Sequence, residues 1–185
     1  MPPKKETPAV NALDVFTDDK IKEMRRDLSK VTKAARGYVL DLTAVARTIE
    51  QVAADLPAPP REVTDGASLK KAQRWMIHTH RLRTRLGQTQ QACQRSKAAW
   101  GGLIEVAKRW FWCQPESVAL KNDTQRMHIM GRILPQLLKK YDRVKGFLVE
   151  IDSLLWILKD NQNNVSAIMS AWRDETWAYR HGMEG

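Results

Sequence analysis

Eight basic side chains concentrate in one stretch of this chain: Lys70, Lys71, Arg74, Arg81, Arg83, Arg85, Arg95 and Lys97. No acidic residue lies between Asp65 and Glu105. The same window holds His78, His80, Gln73, Gln88, Gln90, Gln91 and Gln94. Guanidinium groups grip phosphate oxygens as a two-pronged donor, and ammonium groups bind them as point charges. Arg and Gln with few aromatics on the same face suit contact with a phosphate backbone better than stacking on bases. Arg74, Arg81, Gln88 and Arg95 are spaced by seven. On a helix they form one outward column with members about 10 Å apart. Lys71, His78 and Arg85 form a parallel column.

The charge is local. The chain carries a formal net charge of +10 over 185 residues. Residues 67–112 hold ten bases and one acid, whereas residues 17–56 hold eight bases against seven acids and residues 113–185 ten against nine. A structural helix normally interleaves the two signs, because like charges four apart repel by about a few tenths of a kcal/mol. Acids of neighbouring helices, such as Asp27, Asp41, Glu50, Glu150 and Asp152, are the available counter-charges. Those helices have little negative charge to spare, so the basic stretch is expected to face a polyanion: nucleic acid, an anionic membrane surface or an acidic protein.

Other chemistry finds no support in the spacing. His78 and His80 are two apart and point to different sides of a helix, not to one metal. His128 and His181 are isolated, and the carboxylates show no ExxH or DxD arrangement of a di-metal bundle. No glycine-rich phosphate loop occurs. Cys93 and Cys113 have neither CxxC nor framework spacing and read as free thiols of a reducing compartment. The expectation is no catalytic residue, no cofactor, no metal and no small-molecule substrate. No apolar run reaches the roughly 20 residues of a membrane span, and no secretory signal opens the chain. The expected location is intracellular and soluble, cytoplasmic or with the nucleoid or nucleus.

The elements that position the basic residues are helices. Residues 1–16, with prolines at 2, 3 and 8, read as a flexible arm. Thr17 followed by Asp18 and Asp19 is a helix start. From there Ile21, Met24, Leu28, Val31, Ala35, Tyr38, Leu42, Val45, Ile49, Val52 and Leu56 recur at alternating spacings of three and four, a heptad seam. Leu56-Pro57 ends it, and Pro57 to Gly66 is a stiff connector. A second helix over about 68–112 carries a seam from Ala72 through Trp75, Thr79, Leu82, Leu86 and Cys93 to Trp100 and Trp110. A third is expected over about 116–160, with Pro115 at its first turn and Pro135 as a kink or break. The run Asn161-Gln162-Asn163-Asn164 either continues that helix or turns the chain into a fourth over 165–180. Trp75, Trp100 and Trp110 fall on seams; Trp112, Trp156 and Trp177 fall off them, as a wider core or as exposed contacts.

The expected fold is all-α: an elongated antiparallel bundle of three or four long helices with coiled-coil-like seams, forming a single domain over 17–185. Helices of roughly 40 residues are about 60 Å long. The function classes left open are a scaffold or adaptor whose seams organise a protein partner or a second copy, a nucleic-acid binder making phosphate contacts, and a membrane-surface module. The architecture is similar in outline to BAR-type membrane-bending modules, without any residue motif that carries the likeness.

Overall fold

The computed structural model describes residues 13, 15–31, 40–120 and 122–182. Among them the chain is all-α, in six helices: α1 (Asp18–Val31), α2 (Leu42–Ala54), α3 (Gly66–Trp112), α4 (Pro115–Val118), α5 (Asp123–Ile133) and α6 (Pro135–Gly182). No helix of the described residues is long and apolar enough to cross a membrane. The chain divides into two compact units, residues 1–39 with 96–143 and residues 40–95 with 144–185, so α3 and α6 each contribute to both.

The single helix expected over 17–56 is two elements. α1 starts as read, with the Lys20 N–H donating to Thr17 Oγ1 and Asp18 and Asp19 in the first turn. α2 then starts afresh: Asp41 is extended (φ −76°, ψ 96°) and its carboxylate accepts from the Thr43 and Ala44 N–H groups at 2.9 and 3.0 Å. That N-cap satisfies backbone donors that a continuous helix would have paired internally. Seam positions Ala35 and Tyr38 lie outside the described residues.

The third expected helix, 116–160, is also corrected. α4 opens on Pro115, and α5 opens on Asn122, whose side chain accepts the Gln125 N–H at 2.9 Å. α5 ends at Ile133, and its C-cap Leu134 (φ −122°, ψ 45°) is the residue before Pro135. A residue before proline avoids helical geometry, and proline suits the first position of the next helix. Pro135 is therefore a break. The Asn/Gln run is the opposite case: α6 continues through 161–164 to Gly182. α3 begins two residues before the expected Ser68. Asp65 and Ser68 exchange hydrogen bonds there, the Ser68 N–H donating to Asp65 Oδ1 at 2.6 Å and the Asp65 N–H to Ser68 Oγ at 2.9 Å.

In unit 1 the core gathers Ile21, Met24 and Leu28 of α1, Phe111 of α3, Leu120, and Ile129 of α5. Phe16, the last residue of the expected arm, is 1% exposed, its ring centroid 6.0 Å from that of Phe111. Residues 1–12 and 14 of the expected arm lie outside the described residues. Arg132 ties the same corner, donating to the Phe16 carbonyl at 3.0 Å and to Asp18 at 2.8 Å.

In unit 2 the buried positions are Val45, Ile49 and Val52 of α2, Ala72 through Cys93 of α3 at the expected spacing, and Val144, Ile151, Leu158 and Val165 of α6. Trp75 packs with Val63, Ala72 and Val165, and its indole N–H donates to the Pro57 carbonyl at 3.2 Å. One polar pair is buried among these groups. Gln162 Nε2 donates to Thr79 Oγ1 at 3.1 Å, and Thr79 Oγ1 donates back into its own helix at the Trp75 carbonyl.

Candidate functional site: the basic face of α3

Burial fixes the orientation of α3. Ala72, Trp75, Thr79, Leu82, Leu86 and Cys93 are buried, so the opposite side must face outward at 100° per residue. That side carries Lys70, Arg74, Ile77, Arg81, Gln88 and Arg95, all exposed. The eight basic residues of the sequence reading do not share one face. Lys70, Arg74, Arg81 and Arg95 form the outward stripe. Lys71 and Arg85 stand on the flank toward α2, where Arg85 Nη2 donates to Gln51 Oε1 and His78 Nε2 lies 3.3 Å from the Asp55 carbonyl. Arg83 stands on the other flank and donates to Gln162 Oε1 of α6 at 3.3 Å. Lys97, two heptads on from Arg83, is exposed in the portion of α3 that belongs to unit 1.

Among the described residues, none of these eight side chains forms an ion pair. Arg83 and Arg85 are held by neutral amides, which orient a guanidinium without neutralising it. The acids available in sequence are occupied elsewhere or stand apart. Asp27 pairs with Lys30, Asp41 caps α2, and Asp152 accepts from Gln90 Nε2. Glu50 and Glu150 are exposed and make no ion pair among the described residues. Asp65, the acid closest in sequence, is committed to its cap: hydrogen bonds from the Ser68 N–H and hydroxyl hold its carboxyl below the ordinary range, with the charge of Lys71 a smaller contribution. Repulsions such as Arg81 with Arg85 are thus uncompensated in the free protein, each costing about a few tenths of a kcal/mol. An arriving anion relieves them.

Two features of the surface were not anticipated. Ile77 is 55% exposed within the basic stripe; the seam spacing alone marks it as outward, and the sequence reading passed over it. In unit 1 an apolar cleft of about 370 Å³ opens between Leu103 of α3, Ile133 and Leu134 at the end of α5, and Pro135 and Leu137 of α6, with Arg25 at its wall. Its lining comes from separate helices, so no local pattern announces it. Trp112, Trp156 and Trp177, the tryptophans off the seams, are exposed at 46%, 68% and 66%.

No group of three or more His, Cys, Asp or Glu among the described residues is placed to hold a metal ion. His128 is exposed on α5. Cys93 is buried, and burial pushes its thiol toward the protonated, unreactive form, while Cys113 is exposed and free. Compared with protein families, curated proteins and solved structures, the chain shows no significant match.

Proposed function

We propose that this chain is a non-enzymatic helical assembly protein, a scaffold or adaptor, whose basic face on α3 contacts a polyanionic partner in the cell interior. The observation that carries the reading is the exposure of eight basic side chains with no ion pair among the described residues. A charged face left without counter-charge repels itself and attracts anions over a Debye length of about 8–10 Å at physiological salt.

The scaffold part of the proposal is an antiparallel helical bundle with heptad seams in unit 2. Its support is the pairing pattern. Residue numbers rise on α3 as they fall on α6, Thr79 meeting Gln162 and Gln90 meeting Asp152. They fall likewise on α2, where His78 meets Asp55 and Arg85 meets Gln51. Every second-helix seam position from Ala72 to Trp100 is buried except Thr89, which is half-buried. Partner chains, or a second copy, would engage exposed apolar groups such as Trp156 and Trp177 of α6.

The test is binding to a labelled DNA duplex, an RNA and anionic vesicles in parallel, across a salt series. The wild-type protein is expected to bind at least one of them at low salt. The triple variant R74E/R81E/R95E is expected to lose that binding with unchanged far-ultraviolet circular dichroism. Absence of wild-type binding to all three, or undiminished binding by the triple variant, would overturn the reading.

A further inference from the structure

We infer that the polyanion is a B-form DNA duplex, laid along α3 so that Arg74, Arg81 and Arg95 each meet a sugar-phosphate strand. The inference rests on the polyanion reading above and adds to it a match of spacing. Arg74 and Arg81 are seven residues apart and Arg81 and Arg95 fourteen, which at a helical rise of about 1.5 Å per residue is about 10.5 Å and about 21 Å. A straight helix drifts by about 20° per heptad, so the three side chains stay within an arc of about 60°. α3 is a single uninterrupted helix across this interval.

A B-form duplex repeats every 34 Å or about that. Its grooves, about 6 and 12 Å wide, divide the repeat in a ratio of about one to two. A line drawn along the duplex surface therefore crosses successive strands at intervals of about 11 and 23 Å. The arginine intervals on α3 reproduce that alternation of short and long. In this placement Arg74 and Arg81 flank the minor groove, and Arg81 and Arg95 flank the major groove.

The residues midway between the arginines fit the grooves they would face. Ile77 stands between Arg74 and Arg81, over the minor groove, where apolar side chains of minor-groove binders sit. It is the large aliphatic group exposed on this face, at 55%. Gln88, exposed, stands at the midpoint of Arg81 and Arg95, over the major groove, whose base edges present amide-compatible donors and acceptors. Lys70 extends the basic stripe by one turn beyond Arg74.

Other polyanions lack this pattern. A-form RNA has a deep, narrow major groove and a wide, shallow minor one, so its strand intervals differ. An anionic membrane presents charge without any fixed interval, and surface helices insert an apolar face into it. The apolar face of α3 is turned inward, with Ile77 the one large aliphatic exposed between Gly66 and Arg95.

A variant that keeps the charge and spoils the interval tests this. Q88R/R95Q leaves three arginines in the column at two equal short intervals. The measurement is affinity for a B-form duplex, an RNA duplex and phosphatidylserine vesicles as a function of salt. The expected result is wild-type binding to the DNA duplex, with the logarithmic salt slope of Q88R/R95Q shallower by about 0.9, the value of one lost phosphate contact. R74Q is expected to lose the same amount, and both variants alter exposed positions. If the DNA duplex is bound with a slope that Q88R/R95Q leaves unchanged, the spacing inference is overturned and the polyanion reading stands. Preference for RNA or vesicles over the DNA duplex also overturns the inference alone. No wild-type binding to any of the three at low salt removes both.

Discussion

The two compact units share α3 and α6 and treat charge in opposite ways. In unit 1 bases find acids: Lys20 lies 2.8 Å from Glu116, Lys108 2.7 Å from Glu105, and Arg132 2.8 Å from Asp18. Its own helices α1, α4 and α5 are short, with Asn122 capping α5 and Pro135 opening α6, and they close around aromatic and aliphatic groups such as Phe16 and Phe111. In unit 2 α3 and α6 run long, the buried positions include Thr79 and Gln162, and the bases of α3 form no ion pair among the described residues. Paired charge and broken helices make a closed object. Unpaired charge on an uninterrupted helix keeps a rigid surface available for something else. The difference lies in side chains, since α3 itself passes from one unit into the other.

The largest expected effect comes from the closed object. Phe111 is 0% exposed and packs in the unit 1 core. Phe111→Ala is expected to cost about 3–5 kcal/mol in chemical denaturation. Arg81→Gln, an exposed change in unit 2, is expected to stay within about 0.5 kcal/mol. A costly Arg81→Gln would mean that the basic face serves the fold, and the contrast between the units would fail.

The buried polar pair of unit 2 sharpens the contrast next. Gln162→Ala leaves Arg83 without its amide partner and opens space beside Thr79, an expected loss of about 1–3 kcal/mol. Gln162→Leu fills the space and leaves Thr79 bonded to the Trp75 carbonyl. It is expected to fold with stability near wild type, because replacing a buried polar group by an apolar one of similar shape is often neutral. Equal losses in the two variants, measured by urea denaturation, would show that the hydrogen bonds themselves stabilise unit 2.

These contrasts bear on what the sequence could show. Heptad spacing identified the buried face of α3 from Ala72 to Trp100, because burial and periodicity have one cause. The same spacing misled at the first helix. Leu42, Val45 and Ile49 continue the period of Ile21, Met24 and Leu28, yet Asp41 starts a new helix by capping it. Apolar periodicity is blind to a polar cap that happens to keep register. Asn122-Asp123 is a helix start of the ordinary kind, which the expectation of one helix over 116–160 ran through. At Asn161 to Asn164 propensity left continuation and a turn both open; α6 is continuous there, with Gln162 in tertiary contact with Thr79 across asparagines that are poor helix formers. The basic residues were legible by type. Their division into an outward stripe and two flanks required knowing which amides, Gln51 and Gln162, stand beside Arg85 and Arg83. The cleft at Pro135 was not legible, since helices distant in sequence build its walls.

Acid dependence separates the units more gently. The hydrogen bond from Lys20 holds the Glu116 carboxyl below its ordinary value of 4.5, and the same pair raises Lys20 above 10.5. A lowered carboxylate contributes stability that is complete above its unfolded value and is lost as pH falls through the lower folded one. The raised Lys20 contributes below 10.5 and loses that contribution as pH rises through its folded value. Glu116→Gln is expected to flatten the fall of stability on acidification below about pH 4.5, read from denaturation midpoints at a series of pH values. The variant R74E/R81E/R95E tests the other unit: its acid limb should keep the wild-type contribution of Glu116, since none of those positions forms an ion pair among the described residues.

The smallest effect tests whether α3 bends where its glycines fall. Gly101 and Gly102 lie in the helix beyond the basic stripe, and the helix runs through both. A Cβ on Gly101 would meet the Tyr141 ring at 3.5 Å, an ordinary contact, and one on Gly102 would meet nothing within 4 Å. Packing therefore demands neither glycine. Gly102→Ala removes backbone freedom from the unfolded chain at a position already helical, and should raise stability by about 0.5–1 kcal/mol. Thermal denaturation measures it. A gain with polyanion binding unchanged means that binding draws on no flexing of α3 at Gly102, as expected for a stripe, Arg74 to Arg95, that lies wholly before it. A gain accompanied by altered binding means that α3 flexes at Gly102 when it meets its partner, and the contact would then extend beyond the stripe.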